Sequence, residues 1–351
     1  MKIFIKSYWW VSVFLLLIAC DRIPGKQPSG SIATAATPSP TQEPTQHPLV
    51  ETSSPTAPSL TAGPSPRYFY AMAYDTRRQV TILFGGQTKD GLSNETWEYD
   101  GNQWRQIETP ETPTPRRRSV MAYDPILNKT VLYGGGDGLW LEETWEYDGQ
   151  TWQLIEMASP PALYEQGAMA YFPERGGLIL FGGLLLQTWQ YVDHTWVPLN
   201  VQLPVDFRMI DVSLVYDNNR KVLVLQPSYL GEFVSLELGS SGDWYAALSE
   251  ESTDIHPGRF VFVSTAFDQR RGVTVLFDVD GGPREEATWE YNGGSWRQAN
   301  PLNAPSARYG HRMVYDEARE LIVLFGGSIP GPDGIPLGET WEYDGATWIQ
   351  R

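Results

Sequence analysis

Between residues 67 and 351 the chain repeats one pattern six times, at a period that leaves few folds open. An aromatic residue closes the first apolar run of each unit: Tyr74, Tyr123, Tyr171, Tyr216, Phe267 and Tyr315, spaced 49, 48, 45, 51 and 48 residues apart. Eleven residues after each stand Gly85-Gly86, Gly134-Gly135, Gly182-Gly183, Pro227-Ser228, Asp278-Val279 and Gly326-Gly327. Tryptophans seven apart follow: Trp97 and Trp104, Trp145 and Trp152, Trp189 and Trp196, Trp289 and Trp296, Trp341 and Trp348, with Glu237 and Trp244 in the fourth unit. Eleven of the fourteen tryptophans occupy these two columns, so the rings belong to a repeated scaffold and fill the wedge between neighbouring units.

Each unit reads as four short strands. In the second unit these are Arg118 to Tyr123, Lys129 to Tyr133, Thr144 to Tyr147 and Trp152 to Ile155. The first turn carries Asp-x-x-Arg in several copies (Asp75 to Arg78, Asp217 to Arg220, Asp316 to Arg319). The last turn carries Asp100-Gly101, Asp148-Gly149, Asn292-Gly293 or Asp344-Gly345, dipeptides that tolerate the positive φ of tight hairpins. Radial repetition of such sheets protects their edges in a β-propeller. The order strand, Gly-Gly, Tyr, Trp at a period near fifty resembles the kelch repeat family. The resemblance covers residues 67–351, clearly in four copies, recognisably in the fifth and weakly in the fourth. The expected fold is all-β: a six-bladed kelch-type propeller of four-stranded antiparallel blades, each from one continuous stretch, behind a disordered N-terminal stalk.

Residues 1–20 read as an export signal. Lys2 and Lys6 precede an apolar run from Trp9 to Ala19, of signal length and short for a membrane span. The run ends in Leu17-Ile18-Ala19-Cys20, which resembles the bacterial lipobox and implies acylation of Cys20, the chain's single cysteine. Two or more acyl chains hold a protein on a membrane stably. Residues 21–66 contain ten Pro and fourteen Ser or Thr with scattered aliphatics, a composition that builds no core and serves as a linker. The expected location is the cell envelope. There the propeller is extracytoplasmic and tethered to the outer face of the cytoplasmic membrane, or to the outer membrane of a cell with two.

The formal net charge is −16, and it becomes −18 once Lys2 and Lys6 are removed with the signal, which disfavours nucleic acid as a partner. A lone cysteine committed to lipid leaves no disulfide, thiolate metal cluster or Cys/His pair for the folded part. It also excludes the copper chemistry of galactose-type oxidases, which share the kelch fold but need a Tyr crosslinked to Cys. No cofactor is expected. Asp278, Asp280, Glu285 and Glu286 match no calcium-loop spacing and read as a solvated acidic loop, so no metal is expected either.

Turns after the first and third strands are short and uniform, whereas the loops between second and third strands vary, so a ligand is expected at the loop-rich mouth. Seven residues before the aligned aromatics stand Arg67, Arg116, Tyr164, Met209, Phe260 and Arg308, with Arg208 and Arg259 one residue earlier. This near-ring of arginine points to an anionic ligand, because the guanidinium fork matches a carboxylate. The competing expectation is that these arginines pair with Glu95, Glu143 or Glu339 and tie adjacent blades. Glu165, beside Tyr164, is the nearest acid. His311, next to Arg312, is the histidine expected to face the channel. Tyr68, Tyr70 and Tyr309 lie close enough to stack on a sugar or peptide. The favoured function is a monomeric, membrane-anchored module binding a protein or carbohydrate ligand. The alternatives are a sugar-acid isomerase, by resemblance to kelch proteins that isomerise sialic acid, and a structural envelope component.

Overall fold

The computed structural model describes residues 63–162, 167–183, 186–204, 209–229, 235–240, 242–247, 257, 262–279, 286–331 and 334–351. The signal segment with Cys20, and residues 21–62 of the linker, lie outside the described residues.

The chain folds as a six-bladed β-propeller. Blade 1 consists of Ala71–Asp75, Val80–Phe84, Thr96–Tyr99 and Trp104–Ile107, paired in that order as an antiparallel sheet. Five further four-stranded sheets follow, opening with Val120–Asp124, Gly167–Phe172, Met209–Asp217, Thr265–Asp268 and Arg312–Asp316. These first strands touch one another in sequence, and Arg312–Asp316 returns to Ala71–Asp75, so they form a closed inner circle.

Because side chains alternate across a strand, each second strand feeds two seams. Leu83 packs with Val323 and Phe325 of blade 6, while Ile82 and Phe84 pack with Met121 and Leu132 of blade 2. The core is accordingly six apolar clusters, one between each pair of neighbouring blades.

The second tryptophan column locks these seams. Each indole donates to a hydroxyl on the third strand, or just before it, in the preceding blade: Trp104 to Thr340, Trp152 to Thr96, Trp196 to Thr144, Trp244 to Thr188, Trp296 to Ser235 and Trp348 to Thr288, at 2.8–3.1 Å. The bond from Trp104 to Thr340 ties blade 1 to blade 6, and among the described residues no strand is shared between these two blades. In the first column Trp97, Trp289 and Trp341 are buried as expected, and two rings are not. Trp145 and Trp189 are only half-buried, and the Trp145 indole donates to Glu143 at 2.9 Å.

Two sequence boundaries shift. Gly63 lies against the Trp104 indole and Pro66 against Gly338, so the propeller begins before residue 67. The missed signal is Pro64, three residues before Arg67 as Pro113 and Pro305 are before Arg116 and Arg308, and buried like them. In blade 4, Leu238 rather than Glu237 faces Trp244, as Tyr99 faces Trp104. The intervening turn is one residue longer, so Glu237 stands in the column of Glu98 and Leu236 in that of Trp97.

Candidate functional site

A central channel of about 520 Å³ runs down the ring, lined by all six first strands. Each is the inner edge of its sheet, so unpaired backbone amides and carbonyls face the channel and call for water or a polar ligand. Small side chains such as Ala73, Ala122 and Ala170 keep it wide.

At the loop-rich end, short ribbons stand on the mouth. Arg67–Tyr68 pairs with Gln87–Thr88 and that with Gly91–Leu92, Arg117 bridges Gly136, and Tyr309 bridges Ser328. Three residues, each five positions before an aligned tyrosine, link blades 6, 1 and 2 into an arc. Phe69 donates its amide to Gly310 O at 2.8 Å, and Arg118 to Phe69 O at 2.7 Å. All three adopt left-handed backbone: φ is 66° at Gly310, 56° at Phe69 and 63° at Arg118. For the two non-glycine residues this conformation costs on the order of 1 kcal/mol each, and such strain concentrates at functional sites.

The arc carries an aromatic and cationic collar. The Arg118 guanidinium carbon lies 4.7 Å from the Phe69 ring centre and 5.6 Å from that of Phe262, and the two rings meet edge-on at 4.7 Å. Tyr309 borders Phe262 at 5.7 Å and Tyr68 at 5.9 Å. Beneath the collar, Arg312 lines the channel. Asp211, 1% exposed, accepts the Val212 amide at 2.9 Å. Burial pushes its carboxyl up to about 6, against the pull of Arg312, the Val212 amide and Arg118. Like His311, Asp211 is enclosed and is not among the residues that line the channel.

The arginine ring requires correction. Arg67, Arg116 and Arg308 are at most 1% exposed, and every arm of each fork is engaged. Each Nε donates at 2.9 Å to a carbonyl two residues back, at Ser65, Thr114 and Ser306. Each Nη1 reaches a carbonyl of the Gly-Gly pair, at Gly85, Gly134 and Gly326. The remaining charge is met by Glu95, by Glu143 at 2.6 Å and by Glu339 at 3.0 Å. Burial alone would raise the Glu95 and Glu143 carboxyls; the arginine and tryptophan hydrogen bonds hold both below their ordinary value. Meanwhile Gly86 N donates to Arg116 O and Gly327 N to Arg67 O. Each of these two residues thus binds the preceding blade through its backbone and its own blade through its side chain. They are ties between blades, not walls of an open mouth.

His311 is also displaced from its expected place. It does not line the channel but is 1% exposed, edge-on to Phe277 at 5.7 Å. Burial, then Arg308 and Arg312, push its imidazole down to about 3, so it stays neutral at physiological pH. Tyr70 is buried, its hydroxyl bonded to Phe325 O and to the Arg312 amide. Tyr164, Glu165, Arg208 and Arg259 lie outside the described residues. No cluster of three or more His, Cys, Asp or Glu placed to hold a metal occurs among the described residues.

Sequence reasoning missed Arg118, Asp211 and Phe262 as site residues. The column five before the aligned aromatics, read across units, holds Phe69, Arg118, Gln166, Asp211, Phe262 and Gly310, of which Gln166 lies outside the described residues. It is the varied column inside an otherwise repetitive frame.

No family model and no curated protein matches this chain. Among solved structures, that of YjhT superposes with a TM-score of 0.59 at 11% identity, covering 82% of this chain and 98% of the YjhT chain. At that identity the likeness speaks for the fold alone.

Proposed function

We propose that the protein is a lipid-anchored, extracytoplasmic binding propeller of kelch type that holds a protein or glycan partner at the mouth of its channel. The observation that carries this reading is the collar. Phe69 and Arg118 are kept in strained backbone with the half-buried guanidinium over the buried Phe69 ring, next to the first strands that line the channel. Tyr68 and Tyr309 add partly exposed aromatic faces suited to a sugar ring or an apolar side chain, and Arg118 and Arg312 add positive charge for a carboxylate.

Two experiments test it. Arg118→Gly relieves the left-handed strain, so melting should hold or rise slightly while binding on an array of glycans and acidic peptides falls by about tenfold or more. A melting loss as large as that of a buried tie would show that Arg118 serves the fold. For the anchor, Cys20→Ser should release the chain from membranes or leave its signal uncleaved. Normal processing with unchanged membrane fractionation would remove the lipid from the proposal.

A second reading is isomerisation of a sugar acid at the same mouth, with Asp211 taking the anomeric hydroxyl proton and returning a proton to the ring oxygen as the ring opens, beside Arg118 and Arg312. Anomeric exchange of N-acetylneuraminate, followed by NMR with and without protein, decides it; equal exchange rates end that reading.

A further inference from the structure

The channel opens on the face of the short turns. Thr76, Pro125, Pro173, Asn218, Gln269 and Glu317, one from the first turn of each blade, line that end, and all but Thr76 are exposed. Just inside them stands the aligned aromatic column, from Tyr74 to Tyr315. Three of its hydroxyls are tied to neighbouring turns: Tyr74 and Tyr315 accept the amides of Ala318 and Arg270 at 3.3 Å, and Tyr216 donates to Glu174 at 2.9 Å. Followed inward, the lining reaches Arg312, Ser119 and Val212, directly beneath the collar. Among the described residues, two of those lining the channel are charged: Glu317 at the rim, which accepts Gln269 Nε2 at 2.8 Å, and Arg312 at the inner end. Between them the walls are mostly Ala, Val, Leu and Met, with Met72, Met121, Met169 and Met313 in one column on four adjoining blades.

At that inner end a cation stands where neighbouring blades place an acceptor. Thr265 N donates to Ser213 Oγ and Met313 N to Ser264 Oγ, each at 3.0 Å. A serine three before the aligned aromatic in one blade thus caps the amide two before it in the next. The register is constant around the circle: Met72 pairs with Leu83 as Thr265 does with Leu276 and Met313 with Leu324, so the Met72 amide faces the same way. Its neighbour in the serine column is Arg312. A guanidinium donates and cannot accept, so two donors meet there. Ala71 and Val120 likewise offer no hydroxyl to the amides of Met121 and Met169. The Arg312 amide is taken by the Tyr70 hydroxyl at 3.0 Å, and its half-buried side chain makes no ion pair with the described residues, although Asp211 lies within range of its charge.

We propose that the channel, entered from the short-turn face, is a second binding site, for a small organic acid whose carboxylate accepts from Arg312 and the Met72 amide and whose short apolar body lies along the methionine column. The carboxylate supplies the acceptor that Ser213 and Ser264 supply elsewhere on the circle, and a guanidinium beside an amide matches its two oxygens. Flexible thioether side chains adapt to apolar bodies of differing shape. A volume of about 520 Å³ lies within the range of small-molecule sites. The site is separate from the collar and does not depend on a partner being held there.

Titration calorimetry of the full chain with hexanoate and hexanamide tests this. Hexanoate should bind about tenfold or more tighter than hexanamide, and Arg312→Gln should abolish that preference. Arg118→Gly changes the collar and no lining residue, so it should leave hexanoate affinity within about twofold. Equal binding of acid and amide by the wild type, or binding of neither, overturns the proposal. A loss in Arg118→Gly as large as in Arg312→Gln also overturns it, because the acid then sits at the collar, and leaves the collar reading standing. Methyl NMR of the wild type, with methionine methyls labelled, covers the case in which a variant fails to fold. Hexanoate should shift signals of Met72, Met121, Met169 or Met313 and leave Met157, which does not line the channel, in place. Four unmoved channel methyls at saturating hexanoate overturn the proposal as well.

Discussion

Replacing Arg116 with alanine is expected to destabilise the propeller by about 3 kcal/mol, which for a domain of this size lowers melting by roughly 6–12 °C. The side chain is fully enclosed, and its loss strands Thr114 O, Gly134 O and the Thr114 hydroxyl without their donor. It also leaves the Glu143 carboxylate, about one third exposed, without its cation. The cost is the desolvation already incurred by those groups, which water cannot repay in a sealed seam. Arg116→Lys should recover only part of it, since an ammonium cannot reach three fixed acceptors in the plane of a guanidinium. Chemical denaturation of both variants measures the difference. A loss under about 1 kcal/mol for alanine would mean that the seam opens to solvent and would return Arg116 to the candidate ligand-binding groups.

The arginine column shows where sequence reading stops. The recurrence of Arg67, Arg116 and Arg308 is plain in the chain, but whether such a fork faces ligand or blade depends on Glu95, Glu143 and Glu339. Those acids lie 28, 27 and 31 residues on, across loops of unequal length that no fixed offset bridges. Repeated scaffold features were legible for the opposite reason: Tyr74 to Gly85 and Trp145 to Trp152 are separated by a hairpin of constant length, so spacing is structure. Blade 4 was misaligned where that constancy fails, by the one extra residue before Trp244. The collar escaped notice because its chemistry varies from unit to unit, and only the ring brings Phe69, Arg118, Asp211 and Phe262 together.

Among the tryptophans, Trp152 and Trp145 should separate by energy. Trp152 is 1% exposed, stacks on Tyr147 at 4.9 Å, meets Phe84 at 5.2 Å and donates to Thr96 at 2.9 Å. Trp152→Ala removes a large ring from a sealed wedge and leaves a cavity that two rigid sheets cannot close, so a loss of about 3–5 kcal/mol is expected. Trp145 is half-buried and its indole bonds Glu143 near the surface, so Trp145→Ala should cost about 1–2 kcal/mol. Trp152→Phe isolates the hydrogen bond: it keeps most of the stacking, leaves the Thr96 hydroxyl without its donor and should cost about 1–2 kcal/mol. Equilibrium unfolding of the three variants gives the order. If Trp145→Ala proved as damaging as Trp152→Ala, wedge filling would not be what the fourth-strand indoles do. The ring of six indole-to-hydroxyl bonds would then be a consequence of closure rather than its cause.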